Sequence, residues 1–201
     1  MTCRRALEAS AELRSVFHAR RAFWRSNQLV FIDESAANER TGDRKYGWSP
    51  RGVECVSIRP VQRSERWSIL PALTIDGYLP GTLIYQGSIT SEIFCAWIRE
   101  ILLPRCNTDT ILILDNASIH RTTEFFELIE QAQIQLEYLP PYSPDYNPIE
   151  LSFRSLKAWI KRNIRLADSF ERFSDYLRQG IEEVGRQTGR GHFRTCGYTL
   201  E

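Results

Sequence analysis

Two runs of four consecutive apolar residues, Leu29 to Ile32 and Ile111 to Leu114, set the frame for the chain. Unbroken runs of this length suit strands covered on both faces. Each ends in an aspartate, Asp33 in one case and Asp115 in the other. Between them, residues 67–75 and 79–85 read as strands parted by the Asp76-Gly77 turn signal, and a shorter run at 53–58 adds to an expected antiparallel meander.

Helical spacing takes over further along. Thr90 opens a helix with Ile93, Phe94, Trp97, Ile98, Ile101 and Leu102 on one face, and Pro104 stops it. A helix over 122–132 and a strand over 134–139 follow, then the break Pro140-Pro141-Tyr142-Ser143-Pro144. A helix is expected from Asn147-Pro148 to about Asn163, and a last amphipathic one over 169–187. Strands first, then alternating helix and strand, point to one α/β domain: a mixed sheet flanked by helices, parallel through its later strands. The expected divisions are a basic helical segment over 1–27, the domain over 28–188, and a Gly-rich, loose tail over 189–201.

Composition narrows the class. The 201 residues are 42% apolar and 25% charged, enough for a substantial core and unlike a disordered chain. Lys and Arg total 26 against 25 acids, so no polycationic tail is present, although one face can still be basic. No apolar run approaches a membrane span and Met1 to Arg5 has no secretory character, so an intracellular globular protein without a membrane partner is expected. Cys3, Cys55, Cys95, Cys106 and Cys196 are odd in number and scattered, and His18, His120 and His192 are not paired at helical spacing. Any metal would therefore be a hard cation held by carboxylates.

Asp33 and Asp115 at the ends of neighbouring strands, whose backbones lie about 4.8 Å apart, can converge on one ion. Glu34 points to the opposite face if its strand continues. Glu150, in the first turn after Pro148, supplies a third carboxylate. Singly, each acid has a plainer reading: a turn former or cap for the aspartates, a favourable charge at a helix N-terminus for Glu150. Together they suit Mg²⁺ or Mn²⁺ and phosphoryl transfer, in which two ions about 3.5–4 Å apart serve the attacking and leaving oxygens.

Three blocks carry a family resemblance. Phe31-Ile32-Asp33-Glu34-Ser35, Leu114-Asp115-Asn116-Ala117-Ser118-Ile119-His120 and Leu139-Pro140-Pro141-Tyr142-Ser143-Pro144-Asp145-Tyr146-Asn147-Pro148-Ile149-Glu150 resemble those of the DDE catalytic domain of mariner-like transposases, with 34 residues between the second and third acids. Tyr46 to Gly52 resembles the loop after the first strand, and Phe193 to Tyr198 the C-terminal end of some members. The resemblance implies a ribonuclease H-like fold with a five-stranded mixed sheet. It also implies Asp33, Asp115 and Glu150 as catalytic and metal-binding triad for two Mg²⁺ (or Mn²⁺) ions. The implied reaction is hydrolysis at an element's end, followed by attack of the freed 3′-hydroxyl on target DNA. Asn116 and His120 are candidates for positioning a phosphate or water, His120 equally for capping the next helix. Asp145 reads as a turn residue, and Trp48 as a DNA or subunit contact or a buried anchor.

Beyond Glu150 the charge turns basic. Arg154, Lys157 and Lys161 share the helix face of Glu150, with Phe153, Leu156, Ile160 and Ile164 opposite. Together with Arg162 and Arg165 they form an expected phosphate track, extended by Arg44, Lys45, Arg51 and the arginines of the first 27 residues. Double-stranded DNA, both transposon end and target, is the expected partner, with a homodimer and a separate DNA-recognition subunit left open. Mariner-like transposases carry helix-turn-helix modules ahead of this domain, and the expectation here is a chain lacking them. A non-catalytic DNA-binding or dimerising relic and a hybrid-cutting ribonuclease H are the competing readings. The expected compartment is the nucleus in a eukaryote and the cytoplasm otherwise.

Overall fold

The computed structural model describes residues 10–43, 47–56, 65–186 and 189–200. Helix α1 (Ala11–Arg21) starts at Ser10, whose hydroxyl accepts from the Leu13 N–H at 3.3 Å. Strands β1 (Leu29–Ile32) and β2 (Ser35–Ala37) follow, then β3 (Trp67–Leu70), β4 (Ala72–Thr74), β5 (Gly77–Tyr78) and β6 (Leu83–Gln86). Helix α2 (Ser91–Trp97), capped by Thr90, widens into a π turn over Ile98–Leu102 just before Pro104. Strand β7 (Ile111–Leu114), helix α3 (Thr123–Ala132) and strand β8 (Gln135–Tyr138) lead to α4 (Pro148–Asn163), α5 (Phe173–Gly185) and α6 (Gly189–Thr195).

Five strands form a mixed sheet in the order β5-β4-β1-β7-β8, with β1, β7 and β8 parallel and β4 and β5 antiparallel at one edge. A second sheet, β2-β3-β6, was not foreseen. Its origin is Pro71. The expected single strand over 67–75 is interrupted there, because proline has no N–H to continue a ladder, and the chain passes from the small sheet (β3) to the large one (β4). Residues 53–56 form no strand; the rest of that expected run lies outside the described residues. The β4–β5 turn needs its glycine: Gly77 has φ +121°, and a Cβ there would fall 1.8 Å from the Gly185 carbonyl oxygen.

Strand parity divides the core. Val30, Ile32, Leu112 and Leu114 face α2, the π turn and α3, packing with Phe94, Ile98 and Phe125. Leu29, Phe31, Ile111 and Ile113 face α1, α4 and α6, packing with Phe17, Ile149, Phe153 and Phe193. Further along α4, Leu156, Trp159 and Ile160 join Tyr176, Leu177 and Ile181 of α5 beneath the small sheet. The tail expected to be loose is helix α6 and its exit: Phe193, Cys196 and Tyr198 are buried, and Phe31 meets Phe193 and Tyr198 edge to face at 5.3 Å. Its glycines disfavour a helix in isolation, and burial of one aromatic face outweighs that cost. Among the described residues no helix is long and apolar enough to cross a membrane.

Candidate active site

The register of β1 on β7 pairs Leu29 with Ile111 and Phe31 with Ile113. Two places further along, Asp33 stands opposite Asp115. Parity puts both on the α4 side of the sheet, where the first turn of α4 presents Glu150. The three carboxylates line one cavity of about 450 Å³, walled by Leu139, the Pro140-Pro141 segment and Asn147.

The two aspartates live in opposite environments. Asp33 is 9% exposed. Its Oδ1 accepts the Glu34 N–H at 2.8 Å, and its Oδ2 accepts the Asn147 Nδ2 at 3.0 Å. Burial, then the charges of Asp115 and Glu150, push its pKa up to about 7, against the smaller opposing effect of the Glu34 N–H. Asp115 is more open, and the His120 hydrogen bond, helped by the Ala117 N–H at 3.0 Å, holds its carboxyl below the usual range although partial burial opposes this.

His120 joins the two faces of the sheet. It is wholly buried beside the Phe94 ring, with Nδ1 2.9 Å from Asp115 Oδ1 and Nε2 2.9 Å from Glu34 Oε1. Burial alone would lower its pKa, but the bonds to Asp115 and Glu34 outweigh that and push it up to about 9. An imidazolium donates through both nitrogens, so one cation braces two loops. Glu34 turns to the far face, as strand alternation requires. Asn116 donates from Nδ2 to the Leu139 carbonyl at 2.7 Å, tying the exit of β7 to the Pro-rich wall.

Asn147 was read only as the start of a helix. It is 3% exposed at the N-cap position of α4, yet makes no side-chain cap bond and gives its amide to Asp33 instead. An Asn directly before a helix-opening proline looks like a cap in sequence, which conceals the other use. Asp145 is fixed from outside: Arg14 grips it at 2.6 and 2.9 Å and donates to Ser143 Oγ at 2.7 Å. Arg14 also lies over the Tyr146 ring, 4.2 Å from its centroid.

Arg154, Lys157, Lys161 and Arg162 are all exposed on α4, as the helical spacing requires, and Arg51 is exposed in the turn over 50–53. Lys45 and Arg44 lie outside the described residues, as do Arg4 and Arg5. The arginines of α1 do other work than extending the track: Arg14 holds Asp145, Arg20 pairs with Glu137 at 3.1 Å, and Arg21 donates to the Cys196 carbonyl at 3.0 Å. Trp48 is 102% exposed, which overturns its reading as a buried anchor.

The donor set suits a hard divalent cation: three carboxylates on one cavity, mutual repulsion raising Asp33, and no competing thiol in the lining. Among the described residues, no three acidic, imidazole or thiol groups already stand together as a ready cation cage. The expected convergence of Asp33 and Asp115 on one point is therefore not preformed; Asn147 and His120 hold the two carboxylates separately.

A sequence-family model described as the DDE superfamily endonuclease matches residues 28–174. The chain belongs to that family. Among curated proteins none matches. Of solved structures, this DDE domain is similar to the Mos1 transposase paired-end complex with left transposon end, at 15% identity and TM-score 0.60, over 100% of this chain and 68% of that one. It is similar to the Mos1 mariner paired end complex with Mn at 14% identity and TM-score 0.66, over 98% of this chain and 62% of that one. For the catalytic domain of Mos1 mariner transposase the values are 14%, 0.54, 92% and 82%. At such identities the likeness is one of fold, and the fold is the ribonuclease H-like α/β architecture with a five-stranded mixed sheet. This chain spans about two thirds of the longer transposase chains.

Proposed function

We propose that this DDE domain is the catalytic domain of a transposase that hydrolyses a phosphodiester of DNA and joins the resulting 3′-hydroxyl to a target strand. The observation that carries the reading is the meeting of Asp33, Asp115 and Glu150, from three separate elements, on one cavity. Those residues would hold Mg²⁺ or Mn²⁺, two ions in the full arrangement; related structures bear both metals in their names. When bound, such ions neutralise the phosphate and stabilise charge on the attacking and departing oxygens.

The chain's own groups prepare the site. Asn147 fixes Asp33 Oδ2 and the Glu34 N–H fixes Oδ1, so this carboxylate cannot rotate freely. His120 holds Asp115, braced in turn by Glu34. Asn116 keeps the Pro-rich wall at the end of β7. Beyond Glu150, the exposed Arg154, Lys157, Lys161 and Arg162 offer phosphate contacts that bind backbone without reading sequence. Double-stranded DNA is the partner on this reading. A homodimer or a separate recognition subunit would supply specificity for the element's ends. Residence follows the DNA: the nucleus in a eukaryotic host, the cytoplasm in a bacterial one.

The test is cleavage and strand transfer on labelled DNA, including pre-cut ends, with Mn²⁺ or Mg²⁺, comparing the native sequence with Asp115→Ala. Metal-dependent products that vanish in the variant are expected. DNA binding without any product or divalent-ion uptake would overturn the catalytic reading in favour of a binding relic.

A further inference from the structure

A second groove opens beside the catalytic cavity and shares its wall: Asn116, Leu139, Pro140 and Pro141 line both. It measures about 460 Å³ and runs between α1 and the end of β8. The α1 side presents Leu13 and Val16, which are 50% and 45% exposed, while the same helix is anchored below through the buried Phe17. The opposite side is Tyr138 and Arg121. The Tyr138 hydroxyl donates to the His120 carbonyl, which fixes the ring at the foot of the catalytic loop. The exposed Arg121 guanidinium lies over that ring, 5.1 Å from its centroid. Arg20 also lines the groove but is already matched by Glu137.

These surfaces discriminate between ligands. A paired duplex hides its base faces and offers mainly sugar and phosphate, so it would leave the apolar α1 side uncovered. A small free anion would use the cation alone. An unpaired strand presents both a charged backbone and apolar base faces, and such strands are held by combining cations with stacking platforms, among them arginine planes. The shared wall sets such a strand next to the acids.

We propose that the groove between α1 and β8 binds an unpaired DNA strand adjoining the phosphate that is cut, with bases against Leu13 and Val16 and Arg121 as its cation and stacking plane. This rests on reading the neighbouring cavity as a DNA-cutting site. The track on α4 then serves paired DNA and the α1 groove serves the separated strand.

The experiment measures binding of the full chain, by fluorescence anisotropy, to a labelled blunt duplex and to the same duplex with several unpaired nucleotides on one strand. The forked DNA is expected to bind about fivefold or more tighter. Arg121→Gln combined with Val16→Asp, both at exposed positions, is expected to bring forked binding down to the blunt level and leave blunt binding unchanged. Matched thermal melting of the variant establishes that the fold is kept. A photoreactive thymidine in the unpaired segment is expected to crosslink to the α1 peptide. Equal binding of the two DNAs by the native sequence, or a fork preference that survives the double substitution, would overturn the proposal. Failure of the broader reading looks different: neither DNA is bound or cut, and this proposal falls with it.

Discussion

The two faces of the five-stranded sheet are built from the same strands and close in different ways. The face that carries Val30, Ile32, Leu112 and Leu114 is covered by α2, its π turn and α3, all contributed by residues 91–132 of the chain. The face that carries Leu29, Phe31, Ile111 and Ile113 is covered by α1, α4 and α6, brought from both ends. The catalytic candidates divide along the same line. Asp33, Asp115 and Glu150 belong to the second face, whereas Glu34 and the Phe94-packed His120 belong to the first. The face assembled from distant segments holds the acids, and the locally assembled face supplies the brace behind them.

The sharpest way to break that division is at the carboxylates. Asp33→Ala and Asp115→Ala are each expected to reduce metal-dependent cleavage to background in a gel assay. On the opposite face, His120→Ala or Glu34→Gln is expected to cost about 10- to 100-fold, as is typical when the partner of a ligand is removed, and to raise the Mn²⁺ concentration needed for half-maximal rate. If Glu34→Gln proves as severe as Asp115→Ala, the assignment of roles by face is wrong.

Stability offers the next comparison. Phe125→Ala on one face and Phe193→Ala on the other each remove a fully buried ring, and each is expected to cost about 3–5 kcal/mol in urea unfolding. A cost below about 1 kcal/mol for Phe193→Ala would make α6 an appendage and not a wall of the core. Within α5, Gly180→Ala would place a methyl 2.6 Å from the Trp159 ring and is expected to cost about 1–3 kcal/mol.

The smallest expected effect concerns pH. Burial lowers the pKa of His192 on α6 below its ordinary 6.5. The unfolded chain then binds the proton more readily than the folded one, so this residue's contribution falls as pH drops through about 6.5. His192→Gln is expected to flatten the dependence of melting temperature on pH between 7 and 5.5; an unchanged slope would remove His192 from the account.

Legibility followed the same split. Strands β1 and β7, helix α3 and the course of α4 were readable because each carries its own period of apolar residues, and Asp33, Asp115 and Glu150 could be found from their places at the ends of those elements. Strand β2 was not readable, since Ser35-Ala36-Ala37 has no apolar signature and becomes a strand only by pairing with β3. Helix α6 was missed because Gly189-Arg190-Gly191 argues against a helix locally, and the reason for it, the ring of Phe31, lies over 150 residues away. Asn147 was hidden by its position, which promises a cap and delivers a hydrogen bond across the fold.

The register of β1 on β7 has a consequence for how this sequence can drift. Exchanges among branched aliphatic residues at positions 29–32 keep the alternation of sides, and the hydrophobic core tolerates many of them. Removal or insertion of a single residue within the run reverses that alternation. Asp33 would then turn toward His120, and Glu34, one methylene longer, would enter the cavity in its place. An acid would still stand on each side, so an inventory of residues would record nothing amiss, while the carboxylate that Asn147 is placed to hold would have changed identity. Over this stretch the catalytic centre is encoded less in which residues are present than in how many there are.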